Sequence, residues 1–131
     1  MRRGLISFST CLVATLPLAP AAADALPAQS SSAAGVTVKA TPRTLAGAVW
    51  EFELVFDTHT QDLKDDPAKS ASLHAAGASA APLAWQGDPP GGHHRKGVLR
   101  FKAITPAPAA LELRLQRAGE PSPRVFRWKT K

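Results

Sequence analysis

The stretch Trp50 to His59, W-E-F-E-L-V-F-D-T-H, constrains the fold more than any other part of the chain. Trp50, Phe52, Leu54 and Phe56 alternate with Glu51, Glu53, Val55 and Asp57. A period of two puts four large apolar side chains on one face of a strand and mostly polar ones on the other. An antiparallel sheet with one face on a core and the other on water has this pattern. The segment therefore reads as a central core strand.

Shorter runs of the same kind recur between prolines and glycines. Val36 to Ala40 points Val36, Val38 and Ala40 one way, and Pro42 is expected to end it. Thr60 to Ala68 reads as a polar connection. Ser70 to Ala75 turns Ala71, Leu73 and Ala75 inward and Ser72 and His74 outward, a short helix being the alternative. Gly77 to Ala81 reads as a turn, and Pro82 to Gln86 brings Leu83 and Trp85 to one face. Gly87 to Gly97 is a long Pro/Gly loop. Val98 to Ala103, Leu111 to Gln116 and Arg124 to Lys129 complete the set, the last with Phe126 and Trp128 inward. About seven short strands at this spacing predict an all-β fold, a single antiparallel sandwich of immunoglobulin-like type. Trp50, Trp85 and Trp128, with Phe52, Phe56, Phe101 and Phe126, supply most of its core.

The amino terminus assigns the compartment. Met1-Arg2-Arg3, the apolar run Gly4 to Leu16 and the small residues Ala21-Ala22-Ala23 form the three parts of a Sec-type signal peptide, residues 1–23. Residues 24–35 are small and polar and read as a flexible tether, with the β-sandwich spanning 36–131. Cys11, the only cysteine, leaves with the signal, so the mature chain forms no disulfide. Export without disulfides fits a bacterial periplasmic or secreted protein, with no transmembrane span after processing. The formal charge of +6 falls by two when Arg2 and Arg3 leave, which keeps the mature chain mildly basic. No basic helix or arginine–aromatic interleaving suggests nucleic acid, and a monomer is expected.

Two segments group residues that could do chemistry. Asp57 and His59, two apart on an extended run, project from the same side, as a shared metal ion would require. In P-P-G-G-H-H-R-K, Pro89 to Lys96, the Gly91-Gly92 pair lets a loop bring both His93 and His94 round. If the segments meet, Asp57, His59, His93 and His94 make a mixed N/O set suited to Cu(II) or Zn(II). The same loop also reads as an anion site: the N–H groups of Gly91 and Gly92 beside Arg95 and Lys96 suit phosphate, sulfate or carboxylate. In a third reading the histidines simply order a loop. The acidic run Asp62, Asp65 and Asp66 lacks the ligand periodicity of a calcium loop. Arg100, Lys102, Arg114, Arg127 and Lys129 form an outward basic row. Enzyme motifs are missing: there is no G-x-S-x-G elbow, H-E-x-x-H or P-loop.

W-E-F-x-x-x-x-D-T-H at Trp50 to His59, L-A-W-x-G at Leu83 to Gly87, P-P-G-G-H-H-R-K-G-V-L-R-F at Pro89 to Phe101 and R-V-F-R-W at Arg124 to Trp128 resemble a poorly characterised group of small exported bacterial β-domains. The Asp57-x-His59 pair is loosely similar to the Cu(II) site of periplasmic copper-binding proteins of the CopC type. That family also uses an amino-terminal histidine and carries the pair late in the chain; here the mature chain begins at Asp24 and the pair lies early. The expectation is a non-catalytic exported module. It binds a transition metal, serves an envelope protein as an interaction or accessory domain, or holds an anion at Gly91 to Lys96.

Overall fold

The computed structural model describes residue 14 and residues 25–130. The signal-peptide reading, Cys11 included, falls outside the described residues. Among the described residues nine strands and one short helix follow in order: β1 Gln29–Ala33, β2 Val36–Thr44, β3 Val49–Thr58, α1 Pro67–Ser70, β4 Ala71–Ala75, β5 Ala78–Ala80, β6 Ala84–Gly87, β7 His94–Lys102, β8 Ala110–Leu115 and β9 Arg124–Lys129. They form two antiparallel sheets, ordered β1-β2-β3-β7-β6 and β5-β4-β8-β9. With β1 set aside, β2-β3-β7-β6 and β5-β4-β8-β9 have the strand order A-B-E-D against C′-C-F-G of an immunoglobulin-like sandwich. No helix among the described residues is long and apolar enough to cross a membrane.

The alternation of β3 holds along its length. Trp50, Phe52, Leu54 and Phe56 are buried, and β3 lies between β2 and β7, pairing Phe52 with Leu99 and Phe56 with Val38. Phe52 meets Phe101 edge-on at 5.7 Å and reaches across the sandwich to Trp128, also at 5.7 Å. With no disulfide to join the sheets, apolar contacts of this kind do so, each large side chain contributing about 1.5–3 kcal/mol on full burial. Leu63, in the stretch expected to be only a polar connection, is fully buried as well.

The tether boundary needs correction. Residues 29–33 form β1, and Trp128 Nε1 donates to the Pro27 carbonyl at 2.7 Å, so the folded body begins before residue 36. β1 joins β2 through the two-residue turn Ala34-Gly35, both at positive φ, which is the type I′ geometry of tight hairpins. Ala76-Gly77 makes the same turn between β4 and β5, where the sequence suggested a turn without a strand. Alanine in place of the usual Asn or Asp hides both hairpins in the sequence. Strand β2 also runs past Pro42. Its pairing with β1 ends at Ala40, so Pro42 lies on an open edge beside a register shift, where a missing N–H is tolerated.

Between β3 and β4 the chain crosses from one sheet to the other. Asp66 caps α1, its side chain accepting from the Ala68 N–H at 3.1 Å ahead of Pro67 in the first turn. This crossing holds Leu63 and Asp65 against the Pro89–Lys96 segment.

Candidate functional site

The two chemistry-bearing segments meet. Strand β7 starts at His94, four residues before the expected Val98, and its register sets Asp57 opposite His94. The Asp57 carboxylate and His94 Nδ1 lie 2.5 Å apart, both more than half exposed. The next pair is closed by the backbone: the Thr58 N–H donates to the His93 carbonyl at 2.9 Å. Thr58 is buried; its Oγ1 donates to the Gly35 carbonyl and accepts from the Thr60 and Gln61 N–H groups.

Of the four expected donors, Asp57 and His94 are the two in contact. Among the described residues no group of three His, Cys, Asp or Glu side chains is placed to hold an ion. Asp57 and His94 bind each other, while His59 lies beyond the end of β3 and His93 ahead of β7, both exposed. Successive residues of an extended chain face opposite ways, so beginning β7 at His94 separates His94 from its neighbours.

The expected anion nest is occupied from within. Gly91 N–H donates to the Leu63 carbonyl at 2.7 Å and Gly92 N–H to Asp62 Oδ1 at 2.7 Å. The Leu63 N–H returns a bond to the Gly92 carbonyl at 3.0 Å. Gly91 and Gly92 take positive φ, which lets the chain double back against Leu63. Arg95, expected to face an anion, points into the body and is 1% exposed. Its Nη1 donates to the Leu63 and Asp65 carbonyls at 3.2 and 2.7 Å, and its Nη2 to the Asp88 carbonyl at 3.2 Å. The guanidinium carbon sits 5.8 Å from the Trp85 ring, within cation–π range. Lys96 stays outside, with its N–H on Asp88 Oδ2 and its ammonium 3.8 Å from Glu53. The loop is thus a brace around a buried guanidinium.

A second ionic group was missed in the sequence. Arg117 binds the Asp65 carboxylate with two nitrogens, at 2.6 and 2.9 Å, and reaches Glu120 at 3.1 Å. Arg124 holds both Glu120 oxygens at 2.8 Å and donates to the Ser31, Ala33 and Val36 carbonyls. Burial alone would raise the Asp65 pKa, but the Arg117 hydrogen bonds and charge outweigh it and hold the carboxyl below its ordinary range. Glu120 is lowered chiefly by its hydrogen bonds from Arg124. The chain locks the β1–β2 hairpin to the β8–β9 turn and the β3–α1 connection. The alternation of Leu111, Leu113 and Leu115 continues inward to Arg117, and that of Trp128 and Phe126 runs back to Arg124. Period two therefore marked both arginines.

The outward basic row divides between opposite surfaces. Arg100 and Lys102 lie on the outer face of the five-stranded sheet, while Arg114, Arg127 and Lys129 lie on that of the four-stranded sheet. On the first face, β3 carries Glu51 and Glu53 between the cations of β2 and β7. Arg43 meets Glu53 at 2.9 Å and Arg100 meets Glu51 at 3.0 Å. Compared with known proteins, the chain matches no family model, no curated protein and no solved structure.

Proposed function

We propose that the chain is an exported, non-catalytic immunoglobulin-like module that recognises an envelope protein through the outer face of its five-stranded sheet. The observation that carries this reading is how the two motif segments are used. Gly91, Gly92 and the terminal nitrogens of Arg95 direct their donors at the protein's own carbonyls and Asp62, and the Asp57–His94 pair closes one end of the face. Beyond that pair stands a surface of crossed charges, with Lys39, Arg43, Lys96, Arg100 and Lys102 flanking Glu51 and Glu53. Exposed ion pairs add only about 0–1 kcal/mol each, so such a pattern matters for orienting a charged partner more than for stability.

A photo-crosslinking side chain at Val98, on this face, tests the reading in intact cells. The expected result is a discrete adduct that disappears with Lys96→Glu plus Arg100→Glu and is not reproduced from Val125 on the opposite sheet. Equal adducts from both positions, or none from Val98, would overturn it.

A metal-handling reading retains one specific support, the contact between Asp57 and His94. A carboxylate on Nδ1 orients the ring and leaves Nε2 for an ion, the arrangement of an outer partner behind a ligating histidine. In that reading Cu(II) or Zn(II) binding depends on His94 first, and on Asp57 only through it.

A further inference from the structure

We infer that the outer face of the four-stranded sheet carries a separate binding site for a small organic carboxylate. Register places His74, Glu112 and Arg127 in one row across β4, β8 and β9, with Ala110 and Lys129 paired in the row beside it. Ala76, in the β4–β5 turn, ends that second row. Long side chains in the first row and Lys129 in the second stand around the small side chains of Ala76 and Ala110, and the step between them is a depression of about 490 Å³. That volume falls in the range of small-molecule sites.

The charge around the depression is unbalanced. Glu112 is held by Arg114 at 2.5 Å and by Arg127 at 2.7 Å, each through Nε. Those bonds lower its pKa, so it is an anion already matched by two cations. Arg127 keeps both terminal nitrogens, on a side chain 75% exposed. Lys129, the next residue on this side of β9, has no carboxylate within ion-pair distance among the described residues. His74 adds an imidazole held in place by Ser72. Its Nε2 lies 2.8 Å from Ser72 Oγ, and when the hydroxyl donates to Nε2 the proton of the neutral ring sits on Nδ1.

These groups select a ligand class. The free fork of Arg127 matches the two oxygens of a carboxylate, and Lys129 and His74 add a charge and a donor. The methyl groups of Ala76 and Ala110 offer a floor that a bare inorganic anion would not use. A carboxylate on a short apolar or aromatic body satisfies both parts. The site is distinct from the face used in the proposed function and does not depend on it.

The test is proton–nitrogen NMR of the purified protein titrated with benzoate, and separately with inorganic phosphate. Benzoate should shift the amides of residues 74–76, 110–112 and 127–129 together. Lys129→Glu should weaken binding at least about tenfold, the loss expected with one charged contact. Ala110→Leu fills the depression without touching a charge and should abolish the shifts, while its spectrum elsewhere reports an intact fold. Three results would each overturn the inference: no grouped shifts at millimolar benzoate, shifts unaffected by both substitutions, or phosphate binding as tightly as benzoate.

Discussion

Replacing Arg95 with methionine separates a structural arginine from an anion ligand. Methionine keeps much of the aliphatic stem and removes the guanidinium. The change deletes hydrogen bonds to the Leu63, Asp65 and Asp88 carbonyls and the contact with Trp85. Hydrogen bonds to a charged group are worth about 1.5–3 kcal/mol each. The full sum does not apply, because burying a cation with no directly paired carboxylate already costs part of that gain. The Leu63 carbonyl also keeps the Gly91 N–H and the Asp88 carbonyl keeps Trp85 Nε1, so only the Asp65 carbonyl is left bare. The expected loss is about 2–4 kcal/mol, a large share of the ~5–15 kcal/mol that stabilises a domain. Urea unfolding followed by tryptophan emission measures it, and Trp85 lies beside the change. Lys96→Ala, one residue along and exposed, should stay within about 0.5 kcal/mol of the parent. If Arg95→Met matched the parent in stability but lost stabilisation by phosphate, Arg95 would be a surface ligand and the brace described above would be wrong.

Three further outcomes follow from the same geometry. Asp65 and Glu120 have folded pKa values below their ordinary ones, so the stability they add is present above about pH 4 and drains away as pH falls through the lowered values; acid unfolding of Asp65→Asn should therefore be less steep than that of the parent. Gly97→Ala should cost about 1–3 kcal/mol in a urea titration, since a Cβ there would sit 2.6 Å from the Trp85 ring and 2.7 Å from the Gly87 Cα. Deleting residues 25–33 should lower the thermal midpoint clearly, because Arg124 would lose the Ser31 and Ala33 carbonyls and Trp128 the Pro27 carbonyl; a tether would leave the midpoint unchanged.

Where alternation and side-chain size agree, the fold was legible. Trp50 to Phe56, Leu111 to Leu115 and Phe126 to Trp128 lie inward as their spacing implied. Strand β1 was not, because Gln-Ser-Ser-Ser-Ala has no apolar face to announce it. It is held by hairpin pairing and by the buried Arg124, both contributed from elsewhere in the chain. The site was half legible. The two segments singled out for their chemistry do meet, through Asp57 and His94. Charge, however, suggested that Arg95 faces solvent. Carrying the period of Leu99 and Phe101 back through Gly97 would have turned it inward, and the Pro/Gly content of the loop obscured that continuation. Nothing in residue type distinguishes Arg95 from Lys96; only the parity of β7 does.

The most direct measurement is calorimetric titration of the protein with Cu(II), Zn(II) and Ni(II), beside the His59→Ala, His94→Ala and His93→Ala variants. If the histidine segments brace a loop at the end of a recognition face, no metal binds one-to-one below micromolar, and the variants behave as the parent does. Submicromolar binding abolished by both His59→Ala and His94→Ala would contradict the account. It would mean that the donors gather around an ion and that metal handling is the function.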